Sequence, residues 1–474
     1  MPGPRRKSQT LDEDIEAPVP STPVAGGGRR IARSDHNISR RNLDADAIKV
    51  LYRLYRAGHT AYLVGGGVRD LLLGRRPKDF DIVTSARPAQ VKRLFRNCRL
   101  IGRRFRLAHL HYPDGKIIEL STFRAHPDLE PRDGDEEGDL LVVDDNRFGT
   151  PRQDAERRDF TINSLFYDIA GFCLIDYVGG LEDIRAQVIR TIGEPMQRFQ
   201  EDPVRMVRAV KFSARLGFEI EPETWRAMTR LAPLIQRSAP ARVSEELGRL
   251  LDEGAAARSL ELMDESGLLE AIDFHLEAYL RIAERGELEY DPDGRLLYRL
   301  LKRCDAQRGM GKMSRPLLFC FWVLPVALME GLLDSEADEE GWNTAVFDAV
   351  TRLGLARREA EMMSLTLSLF RRLALRRKRK RGQGRPLEER EGFAEALLLL
   401  EFFSAEAPDY AAEYEYWKER QQERQPARRA SPAPLAARLR SPAPPGIRKP
   451  PELDRGRRRL RRRLPNEEGG PDGF

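Results

Sequence analysis

The chain has 474 residues, too many for one ordinary core, so two or three domains are expected. Hydrophobic residues make up 41% and charged residues 33%, a balance that suits a soluble globular protein and not a membrane-embedded one. Lys+Arg (81) barely exceeds Asp+Glu (75), but the charges are segregated, with 371–385 and the C-terminal stretch basic and 128–145 acidic. Basic segments of this kind favour polyanions. Cys98, Cys173, Cys304 and Cys320 show no paired spacing, which excludes a disulfide frame or zinc site and fits thiols in a reducing compartment. No apolar stretch follows the basic residues near Met1, and residues 317–329 are too short and too interrupted by Pro325 to span a bilayer. A cytoplasmic protein with no membrane partner is expected.

Residues 1–33, rich in Pro, Gly and charge, are expected to lack order, which should begin near Ser34. Residues 44–58 predict a helix with Ala47, Val50, Leu51 and Leu54 on one face and Gly58 as its stop. A short apolar strand, 61–64, runs into Gly65-Gly66-Gly67, and 68–73 predicts a short helix. The alternation over 79–84 predicts a strand. Residues 105–112 and 117–123 predict a hairpin closed by Pro113-Asp114-Gly115. An acidic loop follows over 128–149, and from Thr161 onward helices are expected to dominate. Asp202 is expected to cap a helix whose first position is Pro203, with Val207, Val210 and Ala214 on its apolar face. Further helical patterns cover 245–251, 257–262, 298–304, the Leu317 region, 359–375 and 391–403. From about Gln421 the composition predicts a solvated basic tail. The fold class is α+β, a head with a mixed β-sheet followed by an extended all-α remainder. Its expected parts are 1–33, a head over 34–185, a helical neck over 186–255, an all-α body over 256–425 and a tail over 426–474.

The chemistry concentrates in Gly65-Gly66-Gly67-Val68-Arg69-Asp70, Gly74 and Asp79-Phe80-Asp81. Glycines between a strand and a helix let backbone N–H groups approach phosphate oxygens, and Arg69 offers a charge-assisted contact. Asp79 and Asp81, two residues apart on a strand, put both carboxylates on one side while Phe80 and Ile82 face the core. Adjacent carboxylates that must both stay ionised repel each other, and a divalent cation resolves this. Two such ions activate an attacking hydroxyl and steady a leaving group. A bare glycine turn beside an acidic strand is the plainer alternative, and the added arginine and spacing argue against it.

Leu63 to Asp81 resembles the signature of the class II CCA-adding enzyme and bacterial poly(A) polymerase family, within the polymerase-β nucleotidyltransferase superfamily. Arg157-Arg158-Asp159-Phe160-Thr161-Ile162-Asn163 resembles the family's ribose-recognition motif. Glu201-Asp202-Pro203-Val204-Arg205-Met206-Val207-Arg208 resembles its base-recognition motif. The resemblance is strong from about Ser34 to Leu269 and weak beyond. It implies a nucleotidyltransferase head and an RNA-binding body. It also implies ATP as substrate and two Mg2+ ions, replaceable by Mn2+, on Asp79 and Asp81. Asp159 joins these as a catalytic carboxylate, with Glu119 as the competing third acid. Gly66, Arg69, Arg157, Arg158, Asp202, Arg205 and Arg208 are the nucleotide-binding candidates, with Asp202 orienting Arg205. The family often has a further arginine where this chain has Lys211, which keeps the charge but loses the bidentate fork.

The segment from Leu100 through Gly102-Arg103-Arg104-Phe105-Arg106 to His109 resembles the poly(A) polymerase branch, and basic tails suit loose attachment to many RNA ends. The resemblance therefore implies AMP addition from ATP to RNA 3′-OH ends, with release of pyrophosphate and tails that mark RNA for decay machinery; no DNA partner is expected. CCA or A addition to tRNA is the nearest alternative, and an RNA-binding adaptor with a decayed site a more distant one. His109 and His111 read as ordinary strand histidines. The four tryptophans read as packing residues, with Trp417 and Tyr414, beside Lys418 and Arg420, the best candidates for base stacking.

Overall fold

A computed structural model describes residues 27–102, 107–125, 148–307, 313–333, 346–348, 350–375 and 386–429. Most of the acidic loop, residues 103–106, the basic run over 376–385, Trp342 and everything beyond 429 lie outside the described residues.

Eight strands form one sheet: β1 (Arg29–Ile31), β2 (Ala61–Val64), β3 (Asp81–Thr84), β4 (Cys98–Ile101), β5 (Leu107–His111), β6 (Ile117–Thr122), β7 (Phe166–Asp168) and β8 (Cys173–Asp176). Their order is β1-β8-β7-β2-β3-β6-β5-β4. Within this sheet, among the described residues, only β3 and β6 pair in parallel, so the sheet is mixed as expected. One face carries Leu63, Ile82, Leu110, Leu120, Tyr167 and Leu174 into the main core, where Val50, Leu51 and Leu54 of α1 (Ala45–Arg56) meet them. Asp44 starts α1 by accepting from the Asp46 and Ala47 amides at 2.9 and 3.1 Å. The opposite face carries a smaller apolar cluster of Val64, Val83, Phe123, Phe166, Cys173 and Ile175 with Ala155, against which Tyr62 and Tyr177 pack.

The helices that follow α1 as far as Asp252 are α2 (Gly66–Leu72), α3 (Pro88–Leu94), α4 (Pro151–Glu156), α5 (Gly180–Ala186), α6 (Pro195–Glu201), α7 (Val204–Leu216), α8 (Pro222–Leu231) and α9 (Pro240–Asp252). Beyond them the chain is helical. Arg315–Met329 is buried along most of its length and stacks on Arg357–Ala374 and Phe393–Glu406, with Phe321–Phe402 and Phe370–Phe403 ring centroids 5.0 and 5.5 Å apart. The chain forms one compact unit through Gln421. Of the second unit, Gln422–Phe474, only residues 422–429, the end of helix Ala411–Arg429, are described. Among the described residues no helix is long and apolar enough to cross a membrane.

Several elements differ from the sequence expectation. Arg29–Ile31 lies inside the stretch expected to lack order yet pairs with β8 as an edge strand, because its backbone finds a partner in Leu174–Asp176. The hairpin of β7 and β8 interrupts the region assigned to helices; its strands are too short for their alternation to stand out. The helix after the glycines begins at Gly66, two residues early, and β3 begins only at Asp81. Its partner β2 ends at Val64, opposite Asp81, so Asp79 and Phe80 have no β2 residue to pair with. The last helix runs on to Arg429, past the expected start of the tail. Trp417 packs rather than stacks on bases: it is 8% exposed and its indole donates to the Leu373 carbonyl at 3.0 Å.

Candidate active site

Register decides which acids meet. Ile82 lies opposite Leu120 on the parallel strands, so one step back Asp81 is level with Glu119, and Glu119 in turn is opposite His109. Alternation turns these three away from the main core, in a row across β3, β6 and β5. His109 Nε2 lies 3.3 Å from Glu119 Oε2. Asp79 is exposed in the irregular segment before β3. Water reaches the Asp81 side chain, yet protein crowds it. That loss of solvent, then repulsion from Glu119 and less from Asp79, raises its carboxyl to about 6 against the pull of Arg158. Oxygen donors with unrelieved repulsion suit a hard divalent cation. Among the described residues no three ligating side chains converge on one point, so binding an ion would draw these acids together.

The glycine turn borders this row. Gly65 has φ +74° and ψ −144°, a conformation open essentially to glycine alone. A Cβ there would sit 3.7 Å from Arg158 Nη1 and 3.8 Å from Asp81 Oδ2, so both groups border the turn at that point. At Gly67 a Cβ would press to 3.2 Å from the Asp79 carbonyl, so the missing side chain lets the Asp79 backbone lie over α2. Gly66 opens α2. Arg69 does not face the open side. It is 2% exposed, donates to Asp70 Oδ1 at 2.9 and 2.7 Å and to Asn163 Oδ1 at 2.7 Å, and lies over Phe212. In this arrangement its charge holds α2 against the Asn163 turn.

Arg157 and Arg158 leave the end of α4 and return to its buried Asp154, at 3.3 Å and 2.9 Å. Asp159 turns the other way. Its carboxylate accepts from Arg208 Nε at 2.9 Å, the Phe160 amide at 2.8 Å and Asn163 at 3.4 Å. Burial alone would raise its carboxyl, but Arg208 and these donors hold it down at about 2. The structure thus sets Glu119 beside Asp81 and commits Asp159 to Arg208.

The helix holding the base-recognition motif starts at Val204 after Pro203, and Asp202 instead ends α6. The expected Asp202 cap is therefore corrected, because its side chain leaves the helix to accept from Arg242 of α9 at 3.0 Å. Asp202 does not orient Arg205 either. Arg205 donates to Glu201 Oε2 at 3.2 Å and the Arg198 carbonyl at 2.9 Å. Among the described residues Asp202 Oδ1 has no hydrogen-bond partner. Lys211 is buried in a 2.6 Å pair with Glu246, which also meets Arg208 at 3.4 Å. Sequence reasoning missed Asp154, Arg198, Arg242 and Glu246, and gave Asn163, the last residue of the ribose-recognition motif, no role of its own. Only Asp154 carried a local signal, standing four residues before Arg158 in a short helix.

Residues 61–190 match the family described as "Poly A polymerase head domain", and 217–277 match "Probable RNA and SrmB- binding site of polymerase A". The chain is 42% identical over 365 residues to the poly(A) polymerase I of Escherichia coli O6:H1, covering 74% of this chain and 76% of that protein. It is 39% identical over 223 residues to the CCA-adding enzyme of Geobacillus stearothermophilus, covering 47% of this chain and 53% of that one. Among solved structures, a tRNA-processing enzyme in an apo form shares the fold, with a TM-score of 0.52 and 22% identity over 78% of this chain and 94% of its own.

Proposed function

The chain belongs to the poly(A) polymerase I family, and on that premise we propose that it is a template-independent polynucleotide adenylyltransferase, transferring AMP from ATP to RNA 3′-OH ends with release of pyrophosphate. The observation that carries the site assignment is the row of Asp81 and Glu119 on the open sheet face, bordered by the Gly65 turn. Asp79, Asp81 and Glu119 would hold two divalent cations, Mg2+ or Mn2+. When bound, these lower the pKa of the attacking 3′-hydroxyl and offset charge on the departing pyrophosphate. Glu119 is preferred to Asp159 as the third acid because it already faces Asp81, whereas Asp159 is neutralised by Arg208.

The remaining residues bind and orient. Backbone N–H groups at Gly66 and the start of α2 approach the triphosphate, and Arg158, beside Asp81 at that turn, meets the phosphate or ribose. Arg157 supports it through their shared Asp154. Asp159 and Arg208 form the floor beneath the ribose. Asp202, whose Oδ1 is unpartnered among the described residues, accepts from the base amino group, and Arg205 donates to the adjacent ring nitrogen. A carboxylate with a guanidinium presents the acceptor–donor pair that an adenine edge requires. Residues 217–277 and the basic C-terminal stretch contact the RNA backbone, and the tails serve RNA decay in the cytoplasm.

Poly(A) addition is preferred to CCA addition because similarity to poly(A) polymerase I extends over 74% of the chain and that to the CCA-adding enzyme over 47%. Incubation with Mg2+ and either ATP alone or CTP plus ATP, on generic RNA and on tRNA lacking its 3′ CCA, tests this. Long adenylate tails on generic RNA are expected. Addition confined to tRNA and ending after a few nucleotides would reverse the preference. RNA binding without incorporation would identify an adaptor.

A further inference from the structure

Arg198 of α6 lay outside every sequence motif, yet it sits where the ribose-side and base-side segments meet. Its side chain is 5% exposed. Nη2 donates to two successive carbonyls, Arg157 at 2.7 Å and Arg158 at 2.6 Å. Nη1 donates to Glu201 Oε2 at 2.7 Å, and the same oxygen accepts from Arg205 Nη1 at 3.2 Å. The Arg198 carbonyl accepts from Arg205 as well, at 2.9 Å. The network so formed has the carbonyl of Arg158, whose side chain flanks Gly65 and Asp81, at one end and the Arg205 guanidinium at the other.

Burying a guanidinium is costly unless its donors are satisfied. Two neighbouring carbonyls could be capped by neutral donors; only a planar fork reaches both and a carboxylate at once. The carboxylate chosen is the one that also holds Arg205. From this convergence we infer that Arg198 is a positioning residue for nucleotide choice. It locks the spacing between the Arg157–Arg158 backbone and the Arg205 guanidinium, so that a base of the wrong shape cannot be accommodated by sliding one segment against the other. The inference rests on the proposed base-reading role of Arg205.

The test measures kcat/KM for ATP and for CTP on one generic RNA, with thermal unfolding in parallel, for Arg198→Lys, Glu201→Gln, Arg205→Ala and the Arg198→Lys/Arg205→Ala pair. Lysine keeps the charge but cannot span both carbonyls and Glu201. Arg198→Lys should lower the ATP-to-CTP ratio about ten-fold, the scale of removing one charge-assisted hydrogen bond. Glu201→Gln, nearly isosteric, should shift the ratio in the same direction and decides the matter should the lysine variant fail to fold. The double variant should lose little more selectivity than Arg205→Ala alone, since linked residues are not additive. A purely structural role would lower the melting temperature and the total rate while leaving the ratio unchanged. Parental ratios in Arg198→Lys and Glu201→Gln, beside an altered ratio in Arg205→Ala, would overturn the inference and leave base reading intact. An unaltered ratio in Arg205→Ala would also overturn the inference, and unaltered kcat/KM for both nucleotides in that variant would remove the base-reading role with it.

Discussion

Among the acids of the site, neighbours set the roles more than residue type does. Asp81 is crowded by Glu119 and Asp79, whereas Asp159 is compensated by Arg208. Asp79→Asn, Asp81→Asn and Glu119→Gln should each cut AMP incorporation at least a hundred-fold at saturating Mg2+ with little change in melting temperature, by analogy with the large effect of removing a group that steadies transition-state charge (~10²–10³). Incorporation assays with unfolding curves check this; a Glu119→Gln enzyme near parental activity would return the third place to Asp159. Asp159 has a signature of its own. Its folded carboxyl is held at about 2, below the usual 3.8. Its stabilisation is therefore complete above the unfolded value and is lost as pH falls from about 4 through 2. Moving the carboxyl from 3.8 to about 2 corresponds to roughly 2–3 kcal/mol. Denaturant unfolding of the parent and of Asp159→Asn should show a stability gap at pH 6 that narrows by about that amount toward pH 2. A gap independent of pH would contradict the assignment.

At the scale of elements, the turn between β2 and α2 places two side chains that its own residues do not carry. Gly65→Ala should destabilise the fold by roughly 1–3 kcal/mol, because φ +74° with ψ −144° is nearly closed to other residues. Activity should fall further than stability explains, since Asp81 and Arg158 border that turn. Gly58→Ala is the comparison: Gly58 also has positive φ, but nothing lies within 4 Å of its added Cβ, so stability alone should change. Melting and incorporation measured on both variants separate strain from site damage. Helix α1 was readable in full, since Ala47, Val50, Leu51 and Leu54 recur at helical spacing and are all buried. Strands β7 and β8 were not, being three and four residues long. The start of β3 was misplaced because strand length depends on where the partner ends.

For the whole molecule, the region of the sheet supplies the acids, α7 supplies Arg205 and Arg208, and the helical remainder continues the same compact unit to Gln421. The sequence beyond Arg429 is basic and poor in large apolar residues. Truncation after Arg429 should leave the melting temperature unchanged and weaken RNA binding at low salt. Every phosphate that the truncated enzyme no longer neutralises should flatten the log–log salt dependence by about 0.7 for single strands. The rate of adding one AMP at saturating RNA should barely move. An unaltered salt slope would show that this stretch does not hold RNA.

By itself the sequence determined the ingredients that local chemistry dictates: a glycine turn between strand and helix, aspartates at alternating spacing, amphipathic helices, and arginine-rich motifs in a recognisable order. Periodicity and turn chemistry act over a few residues, so a linear reading captures them. The tertiary structure decided the partners. Glu119 became Asp81's neighbour only through the β3–β6 register, Asp159 was matched to Arg208 across 49 positions, and Asp202 turned to Arg242 instead of Arg205. Arg198 could not be singled out because its bonds to the Arg157 and Arg158 carbonyls cross 41 and 40 positions to main-chain atoms, which leave no residue pattern. Charge compensation is long-range in the chain and short-range in space, so the roles of these ionised groups became legible only in the fold.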